Sequence, residues 1–149
     1  MFKNYKIGFD IWGLVLFLGM MIPNFIWFSI PAPNDVLRIT STTPIADAIA
    51  SFCQVSLIAC LTCLINTKRS KLGFSPFVIV SIACLLIYYI GWILYYSGIT
   101  PSWVILLLTL PPCLSFIFFA IDRKNLPAIL LGVVFAICHL IFAIENFIR

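Results

Sequence analysis

The chain has 149 residues, of which 63% are hydrophobic and only 9% charged, with a net charge of +4. A water-soluble domain of this size cannot hide so much apolar surface, and nine basic residues scattered among apolar runs make no nucleic-acid footprint. The composition excludes a soluble enzyme or nucleic-acid binder and predicts an all-α polytopic membrane protein, a five-helix bundle whose first partner is the lipid bilayer.

Lys3 and Lys6 precede the first apolar run, as in a secretory signal. The run from Ile11 to Ile30 is longer than a signal's apolar core and no small-residue cleavage site ends it, so an uncleaved first span over 7–30 is expected. A polar loop follows, Pro31 to Thr43. The second span covers 44–65, with Thr43 placed to cap it and Pro44 suited to the first helical position. After Asn66-Thr67-Lys68-Arg69-Ser70-Lys71 comes a third span, 75–97, then the uncharged turn Gly98-Ile99-Thr100-Pro101. The fourth span, 102–121, ends at the turn Asp122-Arg123-Lys124-Asn125, and the fifth covers 127–148. Residues 1–149 form one membrane domain, since spans of about 20 residues leave only short loops.

Basic residues orient the set. With the N-terminus in the cytoplasm, Lys3, Lys6, Lys68, Arg69, Lys71, Arg123 and Lys124 lie inside, and only Arg38 and Arg149 lie outside. Seven of nine inside is the bias of a cell-membrane protein with N-in, C-out topology and an odd number of spans. An odd count also disfavours an inverted-repeat transporter within one chain.

Polar groups inside a bilayer face protein or a cavity because lipid cannot hydrogen-bond them. Reckoned by rise per residue from the outer ends, Asn24, Gln54, Tyr88, Thr109 and His139 fall within about 6 Å of one another in depth, one from each span. Helical phase puts Asp47, Ser51 and Gln54 on one stripe, and Tyr88 and Trp92 on one face. Ala128, Gly132 and Ala136 make a small-residue ridge below His139 that directs it into the bundle. Pro23 in the first span and Pro111-Pro112 in the fourth are expected to break or kink their helices near that depth, freeing carbonyls. Asp47 and Glu145, within a turn of the outer surface, stand at the mouth of the layer. The candidate ligand-binding set is thus Asn24, Asp47, Gln54, Tyr88, Trp92, Thr109, His139 and Glu145. The same residues also suit interhelical glue, and Asp47 suits a helix dipole. Trp12, Trp27, Trp103, Tyr95 and Tyr96 read as the interfacial aromatic belt, and Asp10 as a group reaching headgroup water.

Catalytic chemistry finds no signature. H-E-x-x-H, G-x-S-x-G and phosphate-loop patterns are missing, one histidine cannot build a multi-histidine metal site, and no cofactor is implied. The six cysteines all fall within spans, so free thiols are expected. Cys60-Leu61-Thr62-Cys63 resembles the membrane C-x-x-C of the vitamin K epoxide reductase family, but it lies toward the cytoplasmic end and no outer-loop pair exists to relay electrons.

Ile22-Pro23-Asn24-Phe25-Ile26-Trp27, followed by Pro31-Ala32-Pro33-Asn34-Asp35, resembles the opening of small uncharacterised membrane proteins of Gram-positive bacteria. That resemblance implies a bacterial membrane location and no particular activity. Size and span count are similar to the translocator protein family, which binds porphyrins and sterols; the W-x-P-P segment of that family is replaced here by Ile30-Pro31-Ala32-Pro33. Three functions are in play. The first is binding or carrying a small amphipathic or cationic molecule from the outer side. The second is an accessory subunit whose partner is another membrane protein or a second copy. The third is a membrane thiol oxidoreductase. A carrier needs a cavity, whereas an accessory subunit should pack solid.

Overall fold

The structure, a computed structural model, describes residues 2–69, 71 and 73–149. Five helices are long and apolar enough to cross a membrane: α1 (Ile11–Ser29), α2 (Pro44–Cys63), α3 (Pro76–Tyr96), α4 (Ser102–Asp122) and α5 (Leu126–Ala143), the last prolonged by a π-helical turn, Ile144–Ile148. The chain is a multi-pass membrane protein. Two short strands, β1 (Tyr5–Ile7) and β2 (Leu64–Asn66), pair antiparallel with Tyr5 opposite Asn66.

Helix starts follow local chemistry. Asp10, Ser75 and Asn125 accept hydrogen bonds from the backbone N–H of Trp12, Val78 and Ala128 respectively, and proline opens α2, α3 and α5. The first span, expected from residue 7, begins instead at Ile11. Backbone N–H groups of Gly8 and Asp10 donate to the carbonyls of Cys63 and Thr62 at 3.0 and 2.8 Å, so this segment runs extended beside the end of α2. The same pairing ends the second span at Cys63 rather than residue 65. Asp10 does not reach out to headgroup water. It is buried, with Arg123 Nε and Nη2 at 2.8 and 2.7 Å from Oδ2 and Arg69 on the same oxygen.

The order around the bundle is α1, α2, α5, α4, α3 and back to α1. Helix α4 is the hub: 61% of its apolar window is buried, against 17% for α1. Helices leaving lipid gain little from apolar transfer, so their association rests on close packing and hydrogen bonds. Both are present. A Cβ placed on Gly91 would lie 3.0 Å from Leu107, so α3 and α4 approach closely there. Lower on the same interface Ser81 and Ser115 each donate to the other's carbonyl at 2.9 Å. On α5, Ala128 and Gly132 are buried, and Gly132 abuts Ile117 of α4.

Helix α1 has two different neighbours. At the basic end of the bundle, which carries Lys6, Arg69 and Arg123, Gly13 packs on the Leu61 carbonyl of α2. Toward the other end, where the loop of residues 30–43 lies, α1 is bonded to α3. Asn24 Nδ2 donates to Tyr88 Oη at 2.7 Å, Tyr89 Oη to the Gly19 carbonyl at 2.6 Å, and Tyr96 Oη to the Ile30 carbonyl at 2.7 Å.

Candidate functional site

Between α1 and the other helices lies a partly open cavity of about 340 Å³. Asn24, Asp47, Gln54, Tyr88, Trp92, Thr109 and His139 all line it, so seven of the eight candidate residues meet at one place. The walls between them are apolar and aromatic, including Phe17, Met20, Trp27, Phe116, Phe135 and Phe142. An apolar chamber with a few convergent polar groups is the usual make-up of a small-molecule site.

Glu145 is the exception. It does not line the cavity but is exposed and paired with Arg149 at 3.0 Å. Six residues beyond His139, it falls about 120° away around an α-helix, and the chain end gives it a closer cation.

The prolines do not break their helices. Both α1 and α4 run on through Pro23 and Pro111-Pro112. Proline at 23 leaves the Gly19 carbonyl without its helical donor, and Tyr89 supplies the missing hydrogen bond. In α4, Pro112 lines the cavity and cannot donate to the carbonyl of Leu108, another lining residue. Thr109 is satisfied locally, its hydroxyl donating to the Ile105 carbonyl at 2.7 Å.

Each polar group has a distinct environment. Tyr88 accepts from Asn24 and faces Trp92 edge-on, the rings 6.2 Å apart at 84°. Trp92 Nε1 is buried with no well-formed hydrogen bond. The His139 ring lies nearly parallel to Phe135 and Phe142, at 5.1 and 6.2 Å. Asp47 accepts from the Thr43 hydroxyl at 3.1 Å and is within electrostatic reach of His139. Among the described residues it pairs with no basic side chain. A carboxylate beside stacked aromatic rings suits a cation, which gains from both the charge and the ring faces.

No protein-family model, curated protein or solved structure matches this chain. Function therefore rests on the chemistry of the site and of its cover.

The loop of residues 30–43 forms that cover, and Leu37 lines the cavity from it. Asp35 ties it down, accepting from Trp27 Nε1 at 2.8 Å, Tyr95 Oη at 2.8 Å and Arg38 Nε at 2.6 Å. Burial pushes the Asp35 carboxyl up, but those three hydrogen bonds and the Arg38 charge outweigh it and hold the group below its ordinary value. Arg38 also stacks over the Trp27 ring at 4.8 Å. Two belt assignments change accordingly: Tyr95 is fully buried under the loop, and Trp27 is part of the clasp. Trp12 and Trp103 are half exposed, as belt residues are.

All six cysteines are unpaired, and Cys60 and Cys63 lie outside the cavity. The lining residues that sequence reasoning passed over are mostly apolar. Phe17, Met20, Met21, Asn24 and Trp27 repeat at helical spacing along one face of α1. That stripe was legible, but without a structure it could not be told from an ordinary packing face.

Proposed function

We propose that this protein binds, and carries, a small amphipathic molecule with a cationic head, taken up at the end of the bundle that bears the 30–43 loop. The supporting observation is the convergence of seven polar or aromatic candidates from five helices on one 340 Å³ cavity, among them Asp47, a carboxyl group that pairs with no basic side chain among the described residues. The cavity favours this reading over the accessory subunit, for which a solid core is expected. The thiol-enzyme alternative draws no support from cysteines that lie away from the cavity.

Bromine quenches tryptophan on contact, so a bromine-tagged decylammonium is a suitable probe. Phe in place of Trp12 and Trp103 leaves only Trp27 and Trp92, both lining the cavity, as reporters. Quenching is expected to saturate. Asp47→Asn should weaken binding by about 10- to 100-fold, the range of a hydrogen bond to a charged group. His139→Ala should weaken it less and leave the helices folded. Quenching that rises linearly with probe, identically in all variants, would be partition into lipid and would end the binding reading.

The proposed setting is a bacterial cell membrane, N-in and C-out, on the strength of the seven-to-two basic asymmetry and the first-helix resemblance. A reporter active only in the cytoplasm should work when fused after Arg69 and be silent after Arg149. The opposite pattern would reverse the orientation.

A further inference from the structure

We propose that the cavity is entered from within the membrane, through a lateral portal between α1 and α2, and that the ligand is a bilayer-dissolved amphiphile. This rests on the binding reading above and adds to it the route and the physical class of ligand.

The portal follows from how α1 is held. At the basic end α1 and α2 touch backbone to backbone: a Cβ on Gly13 would stand 2.6 Å from the Leu61 carbonyl oxygen. Nearer the loop, three hydrogen bonds of 2.6–2.7 Å draw α1 to α3 instead. Two helices joined at one end, one of them pulled to another neighbour at the other, enclose a wedge. The wedge is lined rather than filled. Met21 of α1 and Ser51 and Gln54 of α2 all border the cavity, and Ser51 is exposed.

The axial route is obstructed. The 30–43 loop lies across it, and Asp35 anchors that loop through Trp27, Tyr95 and Arg38, while the Leu37 N–H donates to Tyr95 Oη at 3.1 Å. Asn34 adds a bond to the Gly98 carbonyl at 3.1 Å. A ligand arriving from water must undo this clasp. A ligand arriving from lipid needs only to pass Ser51, a small side chain, flanked by exposed Phe52 and Val55. Such a ligand carries an apolar body that dissolves among acyl chains and one compact polar group, which meets Asp47 once inside.

The test uses the bromine-tagged decylammonium and the two-tryptophan protein in vesicles, with stopped-flow quenching read in both directions. Ser51→Phe places bulk at the portal without touching the clasp. It is expected to slow association and dissociation together, each at least tenfold, with little change in Kd, because a gate alters both rates alike. Ser51→Ala controls for the lost hydroxyl, and the Ser51→Phe rates are read against it. Asp35→Asn, which loosens the loop, should not alter association. Quenching that fails to saturate in the parent protein would end the binding reading itself. Saturable quenching with Ser51→Phe as fast as the parent, and faster association in Asp35→Asn, would overturn the portal and place entry beneath the loop. A Ser51→Phe effect confined to dissociation would make Ser51 a ligand contact and would also overturn it.

Discussion

Truncating Asp10 to alanine is expected to destabilise the bundle by about 3–5 kcal/mol, the range for breaking a buried ion pair by removing one partner. Asp10 is 3% exposed and Arg123 is 5% exposed. Oδ2 receives Nε and Nη2 of Arg123 together with Arg69, while Oδ1 caps α1 through the N–H of Trp12. Removing the carboxylate therefore strips a helix cap and takes from the Arg123 guanidinium its closest anion among the described residues; Asp122 stands 3.9 Å away. Asp10→Asn should fall between, since its amide oxygen can still cap the helix. Arg123→Ala should cost a similar amount, and the double variant Asp10→Ala/Arg123→Ala less than the two singles added, because both changes break the same ion pair. Glu145→Gln is the contrast: its partner Arg149 is 76% exposed, and such surface pairs contribute little. Detergent-induced unfolding in mixed micelles, followed by far-UV circular dichroism, would measure all five. An Asp10→Ala protein as stable as the parent would show that the Asp10 ion-pair cluster carries no net stability.

The Asp10 cluster also marks where the chain was hard to read. The five helices were legible because apolar runs of membrane length have few alternative meanings, and their ends were legible where Ser75, Asn125 or an opening proline announced them. Asp10 was not. Its partners lie 59 and 113 residues further along, so sequence alone left it as a lone acid near a membrane surface. The β1–β2 pair was invisible for a related reason: three residues are too few to show alternation, and Ile7 and Leu64 read as the apolar ends of helices. At the cavity, rise per residue and helical phase sufficed to place Asn24, Gln54, Tyr88 and His139 at similar depths. Neither quantity could say that α1 leans on α3, which leaves a wedge between α1 and α2. That lean depends on Tyr89 reaching the carbonyl that Pro23 leaves free, a contact between residues 70 apart.

Asn125→Ala should be the next most damaging change at the basic end after the losses of Asp10 and Arg123, by about 2–4 kcal/mol. The residue was read only as part of a turn, yet it is 2% exposed and joins three segments. Its Oδ1 caps α5 through the Ala128 N–H at 3.2 Å. Its Nδ2 donates to the carbonyls of Cys60 and Leu64, at 2.8 and 2.9 Å, where α2 gives way to β2; the Cys60 carbonyl also accepts the Leu64 N–H. Lys124, immediately before it, adopts a left-handed φ of 52°, which turns the chain so that Asn125 faces α2. Alanine loses the cap and takes a donor from both carbonyls in an apolar surrounding, where water cannot readily replace it. Serine separates the two contributions, because its hydroxyl can cap α5 but is too short to serve both carbonyls. Asn125→Ser should therefore recover about 1 kcal/mol, the worth of the cap, and no more. If serine restores full stability, the bonds to α2 contribute nothing and the residue is only a helix cap. If serine is as damaging as alanine, the tie between α2 and α5 is the whole of its role.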